Sequence, residues 1–293
     1  MSKLICTVGI SGSGKTTWAE SLGIEWYNIN RDNHRFHLFC NGVHDWSLYK
    51  FTKERENQVT SRCNDDFNWA VHRELNIVVS NTNLNQKDID HWKSKAEEAG
   101  YEFEVKYFPI TFEDALHRDS KRGALAVGRE VLIQQWQKWL VISGYKRYVP
   151  DVTKPKAIIC DLDGTIAVNT YRGHHDYDKV STDTPRESVI SLVRAWGFNQ
   201  GFYVVFMSGR PDSCAEESKQ WIRAHLPIEP LLYMRKTGDM RSDRIVKEEL
   251  FWEHLAPHYN VIAAIDDRPR VIRLWQDLGI ETVINVQKGY NEF

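Results

Sequence analysis

The sequence predicts two α/β domains, each a three-layer unit in which helices cover a parallel β-sheet. Short apolar runs alternate with longer segments of helical periodicity, which is the pattern of strands joined by crossover helices. The alternation occurs twice, and a segment with two prolines, YVPDVTKPK at 148–156, separates the two series. The chain of 293 residues is also longer than one compact core usually needs. We therefore predict domains at 1–149 and 150–293.

In each half, the apolar runs are predicted strands and the periodic segments are predicted helices. The first-half strands are LICTVGI (4–10), WYNIN (26–30), NIVVS (76–80) and EFEVKYF (102–108), with helices at 15–23, about 50–75, 86–99, 112–119 and 129–142. The second-half strands are KAIICD (156–161), FYVVFMS (202–208), PLLYM (230–234), VIAAIDD (261–267) and ETVINV (281–286), with helices at 185–199, 213–225, 244–255 and 269–277. In open parallel sheets, ligands bind beyond the carboxyl ends of the strands, so residues just after the strands are the candidates for chemistry.

The composition argues against several classes of protein. The net charge of -2 gives no global basic field, so a nucleic-acid partner would have to bind local basic patches. Five cysteines, an odd number without CxxC spacing, favour free thiols in a reducing cytosol over a disulfide framework or a zinc site. No apolar run approaches the roughly 18 residues of a membrane span, and the N-terminus lacks a signal-peptide pattern. These features predict a soluble cytoplasmic protein with no membrane partner.

The first chemical motif is GISGSGKT at 9–16, which fits the phosphate-binding pattern G-x-x-x-x-G-K-[ST] between a strand and a helix. Backbone N–H groups of such a loop hold the phosphate oxygens of ATP. Lys15 would bridge the β- and γ-phosphates, and the Thr16 hydroxyl would bind Mg²⁺. The alternative is a glycine-rich turn with an exposed lysine, which the strand–loop–helix context disfavours. The predicted ATP-binding residues are Gly9, Gly12, Ser13, Gly14, Lys15, Thr16, Thr17 and Arg122.

A phosphate donor needs an acceptor and a base, and NINRDNHR at 28–35 offers both. Asp32 could take the proton of an attacking hydroxyl, and Arg35 could orient that acid or bind an acceptor phosphate. From spacing alone, a purely structural role has equal weight, since Asp commonly caps a helix and Arg commonly lies on its solvent face. The basic run HRDSKRG at 117–123 could form a lid in which Arg122 reaches the transferring phosphate. Most such runs are only solvated faces.

The second chemical motif is DLDGT at 161–165, which follows the predicted strand AIIC. Asp161 would attack phosphorus and form an aspartyl-phosphate, and Asp163 would protonate the leaving oxygen and then activate water. Later segments supply a hydroxyl from Ser208 and a cation from Lys247. Carboxylates at the next strand end would complete an all-oxygen Mg²⁺ site. Over the whole chain, the predicted metal ligands are Thr16, Asp161, Asp163, Asp266 and Asp267.

The spacing of this motif set carries information about the substrate. The interval between Asp163 and Ser208 leaves no room for a large cap domain over the site. Because an uncapped site admits the end of a polymer, we predict a macromolecular substrate. Arg172 and Arg210 could then bind phosphates beyond the scissile one.

Three other features are interpreted as structural. Cys160 precedes Asp161 on a strand, and neighbouring strand residues face opposite sides, so Cys160 is predicted to be a core residue. Trp136 and Trp139 have helical spacing and are predicted to pack in the core. The pair His174–His175 lies in a polar loop and is expected to face solvent.

Eight segments resemble the polynucleotide kinase/3′-phosphatase family of bacteriophages, in the family's order, from about residue 1 to 275. They are GISGSGKTTW, YNINRDNHR, SNTNLN, SKRG, DLDGT, SGR, VKEELFWEHLAPH and AIDDR. The resemblance implies a P-loop kinase that moves the γ-phosphate of ATP to 5′-hydroxyl ends of DNA or RNA. It implies a haloacid-dehalogenase-like domain that removes 3′-phosphates or 2′,3′-cyclic phosphates. It also implies single-stranded or nicked DNA and RNA ends as partners, a homotetramer, and the host-cell cytoplasm as location.

Residue roles follow the matching motif positions. On the kinase side, the resemblance implies ATP and Mg²⁺ binding by Lys15 and Thr16, general base catalysis by Asp32, an acceptor-side role for Arg35 and nucleotide phosphate binding by Arg122. On the phosphatase side it implies Asp161 as nucleophile, Asp163 as acid and base, substrate binding by Arg172, Arg210 and Asp243, and supporting roles for Ser208, Lys247, Asp266 and Asp267.

Three positions depart from the family pattern. Thr16 stands where serine is common, and the hydroxyl is retained. Asn81 stands where an acidic residue is expected, which removes a charge near the kinase metal. Arg244 follows Asp243 where a second acid is expected, which could shift the substrate preference of the phosphatase.

Together these residues predict a bifunctional enzyme that heals nucleic-acid ends. One alternative is a metabolite kinase fused to a small-molecule phosphatase, which the missing cap disfavours. Another is an end-binding scaffold without catalysis, which the intact Lys15, Asp32, Asp161 and Asp163 disfavour.

Overall fold

The computed structural model of the protein describes residues 2–173 and 176–287, so the His174–His175 pair lies outside the described residues. The chain divides into two compact units, Met1–Tyr145 and Lys146–Phe293. Each unit is an α/β fold built on a parallel sheet, which confirms the predicted fold class. In the described parts of the chain, none of the helices has the length and apolar character that crossing a membrane requires.

The first unit has a four-stranded parallel sheet in the order β2-β3-β1-β4. Its strands are β1 (Lys3–Val8), β2 (Trp26–Ile29), β3 (Asn76–Val79) and β4 (Glu102–Tyr107). Its helices are α1 (Lys15–Glu20), α2 (Arg31–Phe39), α3 (Lys53–His72), α4 (Gln86–Glu98), α5 (Phe112–Ser120) and α6 (Arg129–Ile142). The predicted helix at 15–23 ends at Glu20, and α2 was not among the predicted helices. Trp136 and Trp139 are buried in the core of this unit, as predicted.

The second unit has a five-stranded parallel sheet in the order β11-β10-β5-β8-β9, with a separate antiparallel ribbon of β6 and β7. Its strands are β5 (Lys156–Cys160), β6 (Ala167–Val168), β7 (Thr184–Pro185), β8 (Tyr203–Pro211), β9 (Leu231–Arg235), β10 (Asn260–Asp266) and β11 (Thr282–Asn285). Its helices are α7 (Glu187–Arg194), α8 (Ala215–His225), α9 (Asp243–Leu250) and α10 (Pro269–Leu278). One π-helical turn extends α7 over Ala195–Asn199, and another extends α9 over Phe251–Leu255. The ribbon was not predicted, because its two-residue strands are too short to show an alternating pattern.

The sheets bring the chemical motifs together at their carboxyl ends. In the first unit, the phosphate loop follows β1. The segment beginning at Ser80 follows β3, which lies next to β1, and the segment beginning at Asn30 follows β2, which lies next to β3. In the second unit, Asp161 follows β5, whose neighbours β8 and β10 carry Ser208 and Asp266. Cys160 is fully buried at the end of β5, as predicted. All five cysteines are buried free thiols.

Candidate active sites

The loop between β1 and α1 has the backbone shape of a phosphate cradle. Gly12 and Gly14 have φ angles of 81° and 94°, in the left-handed region that glycine tolerates best. The Lys15 side chain is buried, and its ammonium donates to the Ile10 carbonyl at 2.8 Å and to the Ser13 hydroxyl at 3.3 Å. Burial lowers the pKa of Lys15 to about 7, although Asp32 opposes this shift. A bound polyphosphate would supply the negative charge that this ammonium lacks.

A cleft of about 950 Å³ lies beside this loop and gathers most of the predicted kinase residues. Its lining includes Gly12, Gly14, Lys15, Thr16, Thr17, Asp32, Arg35 and Arg122. Gly9 and Ser13 are not among the lining residues, and the Ser13 hydroxyl accepts from Lys15. The structure therefore places the phosphate loop and the predicted Asp32, Arg35 and Arg122 around one space.

Asp32 lies in the first turn of α2, but it does not cap the helix. The Asn30 side chain is the cap, since it accepts the backbone N–H groups of Asp32 and Asn33. The Asp32 carboxylate is about half exposed and accepts a 2.6 Å hydrogen bond from Arg35. The capping alternative is therefore wrong, and the carboxylate is available to the cleft.

Glu56 on α3 holds Arg35 in place, and the sequence analysis did not identify it. Its carboxylate accepts from Arg35 at 2.9 and 2.6 Å, from Arg31 at 2.8 Å and from the Tyr49 hydroxyl at 2.8 Å. Burial raises the pKa of Glu56, but the hydrogen bonds from Arg35 and Arg31 outweigh it and lower the pKa to about 2. Glu56 is thus anionic and fixes the guanidinium that contacts Asp32.

The basic run at 117–123 reaches the cleft through two arginines. Arg122 lines the cleft and lies 3.5 Å from Asp119. Arg118, from the same run but not a predicted site residue, also lines it and donates to the Gly12 carbonyl at 3.1 Å. Asn81, the departure noted above, also lines the cleft. Its amide oxygen accepts the Arg31 N–H at 2.8 Å, so the substitution keeps a structural hydrogen bond while removing a charge.

In the second unit, Asp161 and Lys247 form the buried centre of the site. The Lys247 ammonium donates to Asp161 at 2.7 Å and to Asp266 at 2.9 Å. The Thr165 hydroxyl donates to the other Asp161 oxygen at 3.1 Å. Burial raises the pKa of Asp161 well above its usual range, an effect that Lys247 opposes and Asp266 reinforces. The residues predicted as nucleophile and cation are therefore in direct contact.

Three carboxylates of this site suit a divalent cation. Asp161, Asp266 and Asp267 each offer an oxygen, and these oxygens lie within 4.8 Å of one another. Burial raises the pKa of Asp267, and the charge of Asp266 adds to this shift. Gly164 leaves room for Asp267, since its φ is 74° and an added Cβ would clash with the Asp267 carboxylate. Carboxylate oxygens are the type of ligand that Mg²⁺ prefers.

Asp163, also a predicted metal ligand, points its carboxylate to two arginines instead. Arg172 donates to it at 2.7 Å, and Arg210 donates at 2.8 and 2.9 Å. Both guanidiniums also bind Asp183, at distances from 2.6 to 2.9 Å. Burial raises the pKa of Asp163, but the two arginines outweigh it and hold the pKa below its usual value.

This arrangement changes the interpretation of the two arginines. Both side chains are buried and engaged by carboxylates, so the structure does not present them to phosphates beyond the scissile one. They orient Asp163 instead. Asp183 completes the four-residue cluster, and no sequence pattern marks it, because its role depends on contacts 11 and 27 residues away.

Removing Asp183 is expected to destabilise the protein. In Asp183→Ala, two buried guanidiniums would share the single carboxylate of Asp163, and breaking a buried charge pair typically costs about 3 kcal/mol or more. Chemical denaturation should show this loss in the free energy of unfolding. The matched control is Asp176→Ala. Among the described residues, the exposed Asp176 carboxylate pairs with exposed Lys179, and its removal should change stability by less than about 0.5 kcal/mol. Equal stability of the two variants would contradict a structural role for the cluster.

The remaining predicted residues lie around this centre. The Ser208 hydroxyl is fully buried in β8 and accepts the Arg210 N–H at 3.2 Å. Asp243, predicted to bind substrate, is buried at the start of α9 and accepts from Arg268 at 3.0 Å. Arg244 donates to Asp277 of α10 at 2.9 Å, so this departure from the family pattern joins two helices.

Comparison with known protein families follows this division into two units. Residues 155–291 match the family described as the polynucleotide kinase PNKP phosphatase domain. The second unit is therefore similar to this family. Residues 4–140 match a family described as an AAA domain, so the two matches follow the order of the motifs. The resemblance predicted from the sequence is thereby confirmed.

A relative of the whole chain comes from Autographa californica nuclear polyhedrosis virus, where it is named as a candidate bifunctional polynucleotide kinase/RNA ligase. It is 38% identical over 301 residues, which cover 99% of this chain and 43% of the relative. This chain thus spans less than half of the relative's length.

Two solved structures are also similar along the whole chain. One is described as the Pnkp1/Rnl/Hen1 RNA repair complex, with 24% identity, a TM-score of 0.46, and coverage of 98% of this chain and 96% of that chain. The other is described as the Pnkp1/Rnl/Hen1 complex, with the same identity and TM-score and coverage of 99% and 97%.

Proposed function

We propose that the protein heals nucleic-acid ends by transferring the γ-phosphate of ATP to 5′-hydroxyls and removing 3′-phosphates or 2′,3′-cyclic phosphates. The observation that carries this proposal is a phosphatase unit of the polynucleotide kinase family, with an intact Asp161–Lys247 centre, in one chain with a phosphate-loop cleft. A 5′-hydroxyl and a 3′-phosphate block ligation. Because the two reactions act on opposite ends, they complement each other and form no futile cycle.

In the proposed kinase, the loop around Gly12 and Gly14 binds the phosphates of ATP through backbone N–H groups. Lys15 leaves the Ile10 carbonyl and binds the transferring phosphate, while Thr16 offers its hydroxyl to Mg²⁺. Asp32 takes the proton of the 5′-hydroxyl as its oxygen attacks the γ-phosphorus. Arg122, which also lines the cleft, stabilises negative charge on the transferring group.

In the proposed phosphatase, an Asp161 oxygen attacks phosphorus and the bond to the 3′-oxygen breaks. The arginines keep Asp163 anionic at rest. We therefore assign the proton it later donates to the incoming phosphate, whose second pKa of about 6 leaves a fraction of it singly protonated near neutral pH. Asp163 passes that proton to the leaving 3′-oxygen. It then takes a proton from the water that hydrolyses the aspartyl-phosphate.

Mg²⁺ fits the carboxylates Asp161, Asp266 and Asp267, where it would neutralise charge on the phosphoryl oxygens. The Lys247 ammonium donates to both Asp161 and Asp266. It thereby offsets the repulsion between the two carboxylates and orients the attacking one. Ser208 and Thr165 supply hydroxyl groups to the proposed phosphatase site, and the Thr165 hydroxyl donates to Asp161.

The test of the proposal uses one oligonucleotide that carries both a 5′-hydroxyl and a 3′-phosphate. It is incubated with the protein, Mg²⁺ and ATP labelled at the γ-phosphate, and both ends are then analysed by mass. Label at the 5′ end with loss of the 3′-phosphate is expected. If neither end changes, the function is wrong, and free sugars and nucleosides become the substrates to test.

Asp32→Asn is expected to lower the rate of 5′-phosphorylation by about 100-fold or more, with ATP affinity retained. The reason is that the amide cannot accept the hydroxyl proton, whereas Asn30 continues to cap α2. Turnover of labelled ATP and calorimetric titration of ATP measure the two quantities. The control is Asp65→Asn, an exposed carboxylate on α3. Unchanged turnover in Asp32→Asn would remove Asp32 from the mechanism.

A further inference from the structure

A group of aromatic rings forms one wall of the cleft in the first unit. We call residues 43–51, between α2 and α3, the aromatic loop. Trp46 and Phe51 of this loop line the same cleft as Lys15, Asp32 and Arg35. None of the catalytic roles proposed above uses these rings.

The aromatic loop is anchored rather than loosely attached. Tyr49 is buried with Phe36 and Cys40, and Trp46 and Leu125 pack against that cluster. The Tyr49 hydroxyl donates to Glu56 at 2.8 Å, which ties the loop to the carboxylate that also holds Arg35. The position of the loop is therefore coupled to the position of the acceptor-side arginine.

Phe51 is the exposed ring of this loop. It is 63% exposed, although it packs against Trp46 at a centroid distance of 5.9 Å with near-parallel planes and against Tyr49 at 4.8 Å. A core role would bury the ring, and a simple surface role does not require two supporting aromatic rings. A supported ring that remains largely exposed where it lines the cleft can stack on a flat ligand.

A positive charge over the ring indicates which ligand it fits. The Arg35 guanidinium lies over the Phe51 ring, 5.4 Å from the ring centre, and also donates to Asp32. The Arg35 guanidinium therefore contacts both the Phe51 ring and the Asp32 carboxylate that would receive the hydroxyl proton. A ligand with its hydroxyl at Asp32 would place an aromatic group on Phe51 and a negative group on Arg35. A nucleotide with its base and following phosphate has these groups in this order.

We propose that Phe51, supported by Trp46, stacks on a nucleobase near the 5′ end of the acceptor strand. This inference rests on the proposed kinase activity and makes the acceptor a polynucleotide rather than a free sugar. Every base has a π-face, so the contact tolerates all sequences and requires unstacked, single-stranded ends. Since Phe51 stands outside the phosphate loop, the contact acts on the acceptor and leaves ATP binding unchanged.

The test compares two 5′-hydroxyl oligonucleotides, one natural and one with abasic residues at its first two positions. We expect wild-type kcat/KM to be about tenfold lower on the abasic strand, since base–aromatic stacking has this magnitude. In Phe51→Ala, kcat/KM on the natural strand should fall about tenfold below the wild-type value. On the abasic strand, kcat/KM of the variant should equal that of the wild type. Its KM for ATP should match the wild type, which also shows that the variant is folded. Leu48→Ala is the matched control, because Leu48 is exposed in the same loop but does not line the cleft.

Two results would overturn the stacking contact. One is a Phe51→Ala protein as active as wild type on the natural strand. The other is a Phe51→Ala defect that is equally large on both strands. A wild-type protein that phosphorylates neither strand would instead refute the proposed kinase function, and the stacking contact with it.

Discussion

Asp161→Asn is expected to lower the rate of 3′-phosphate release by at least about 10³-fold, while 5′-phosphorylation continues at the wild-type rate. The amide cannot form the aspartyl-phosphate, so the loss is one of covalent catalysis and not of binding. Folding should survive, because Lys247 keeps its 2.9 Å hydrogen bond to Asp266. The two activities are measured on the oligonucleotide with both blocked ends.

A quench experiment separates a nucleophile from a charge partner. With a 3′-phosphate labelled with ³²P, acid quenching during turnover should leave label on the wild-type protein and none on Asp161→Asn. Asp178→Asn, an exposed carboxylate of the same unit, should behave as wild type. Loss of both activities in Asp161→Asn would argue against two separable sites, and label on the variant would remove Asp161 as the nucleophile.

The parts of the sites that follow strands were predictable from the sequence. The phosphate loop, Asp32, Asp161 and Asp266 each stand within a few residues of an apolar run that ends at the carboxyl edge of a sheet. Parallel topology then brings these positions together without any knowledge of the connecting helices. For these residues, local pattern and global fold carry the same information.

The supporting residues could not be predicted, because their roles depend on contacts between distant segments. Glu56 lies on an amphipathic helix, and nothing in its neighbourhood distinguishes it from other solvent-facing acids until Arg35 of α2 approaches. Asp183 lies in a polar loop, and its burial results from two arginines that arrive from different segments. The same contacts turned Arg172 and Arg210 from expected phosphate ligands into residues that orient Asp163.

Helix α2 illustrates a conflict between local signals. Its segment has charged and polar residues on most positions, so no apolar stripe marked it as a helix. The Asn30 cap at its start was the available signal, whereas the capping alternative considered for this segment fell on Asp32, two residues later. Because Asn30 caps the helix, that alternative is removed, and the prediction of Asp32 as general base is unchanged.

Lys15→Ala is expected to have the reciprocal effect of Asp161→Asn, with 5′-phosphorylation lowered by about 10²–10³-fold or more and 3′-phosphate release unchanged. The ammonium is the group aimed at the charge that develops on the transferring phosphate, and removing one such donor has this magnitude. Folding should tolerate the change, because burial already disfavours the charged form of Lys15. Lys93→Ala, which removes only an exposed pair with Glu97, is the matched control.

A mixture of the two variants tests most directly whether each unit carries its own complete activity. If each unit carries a complete active site, equal amounts of Lys15→Ala and Asp161→Asn should process both ends of one oligonucleotide in the same tube. Each variant alone should leave one end blocked. Failure of the mixture, with each variant retaining its single activity, would mean that one chain must act on both ends without releasing the strand. Since ligation requires both ends, that result would make retention of the strand part of the function.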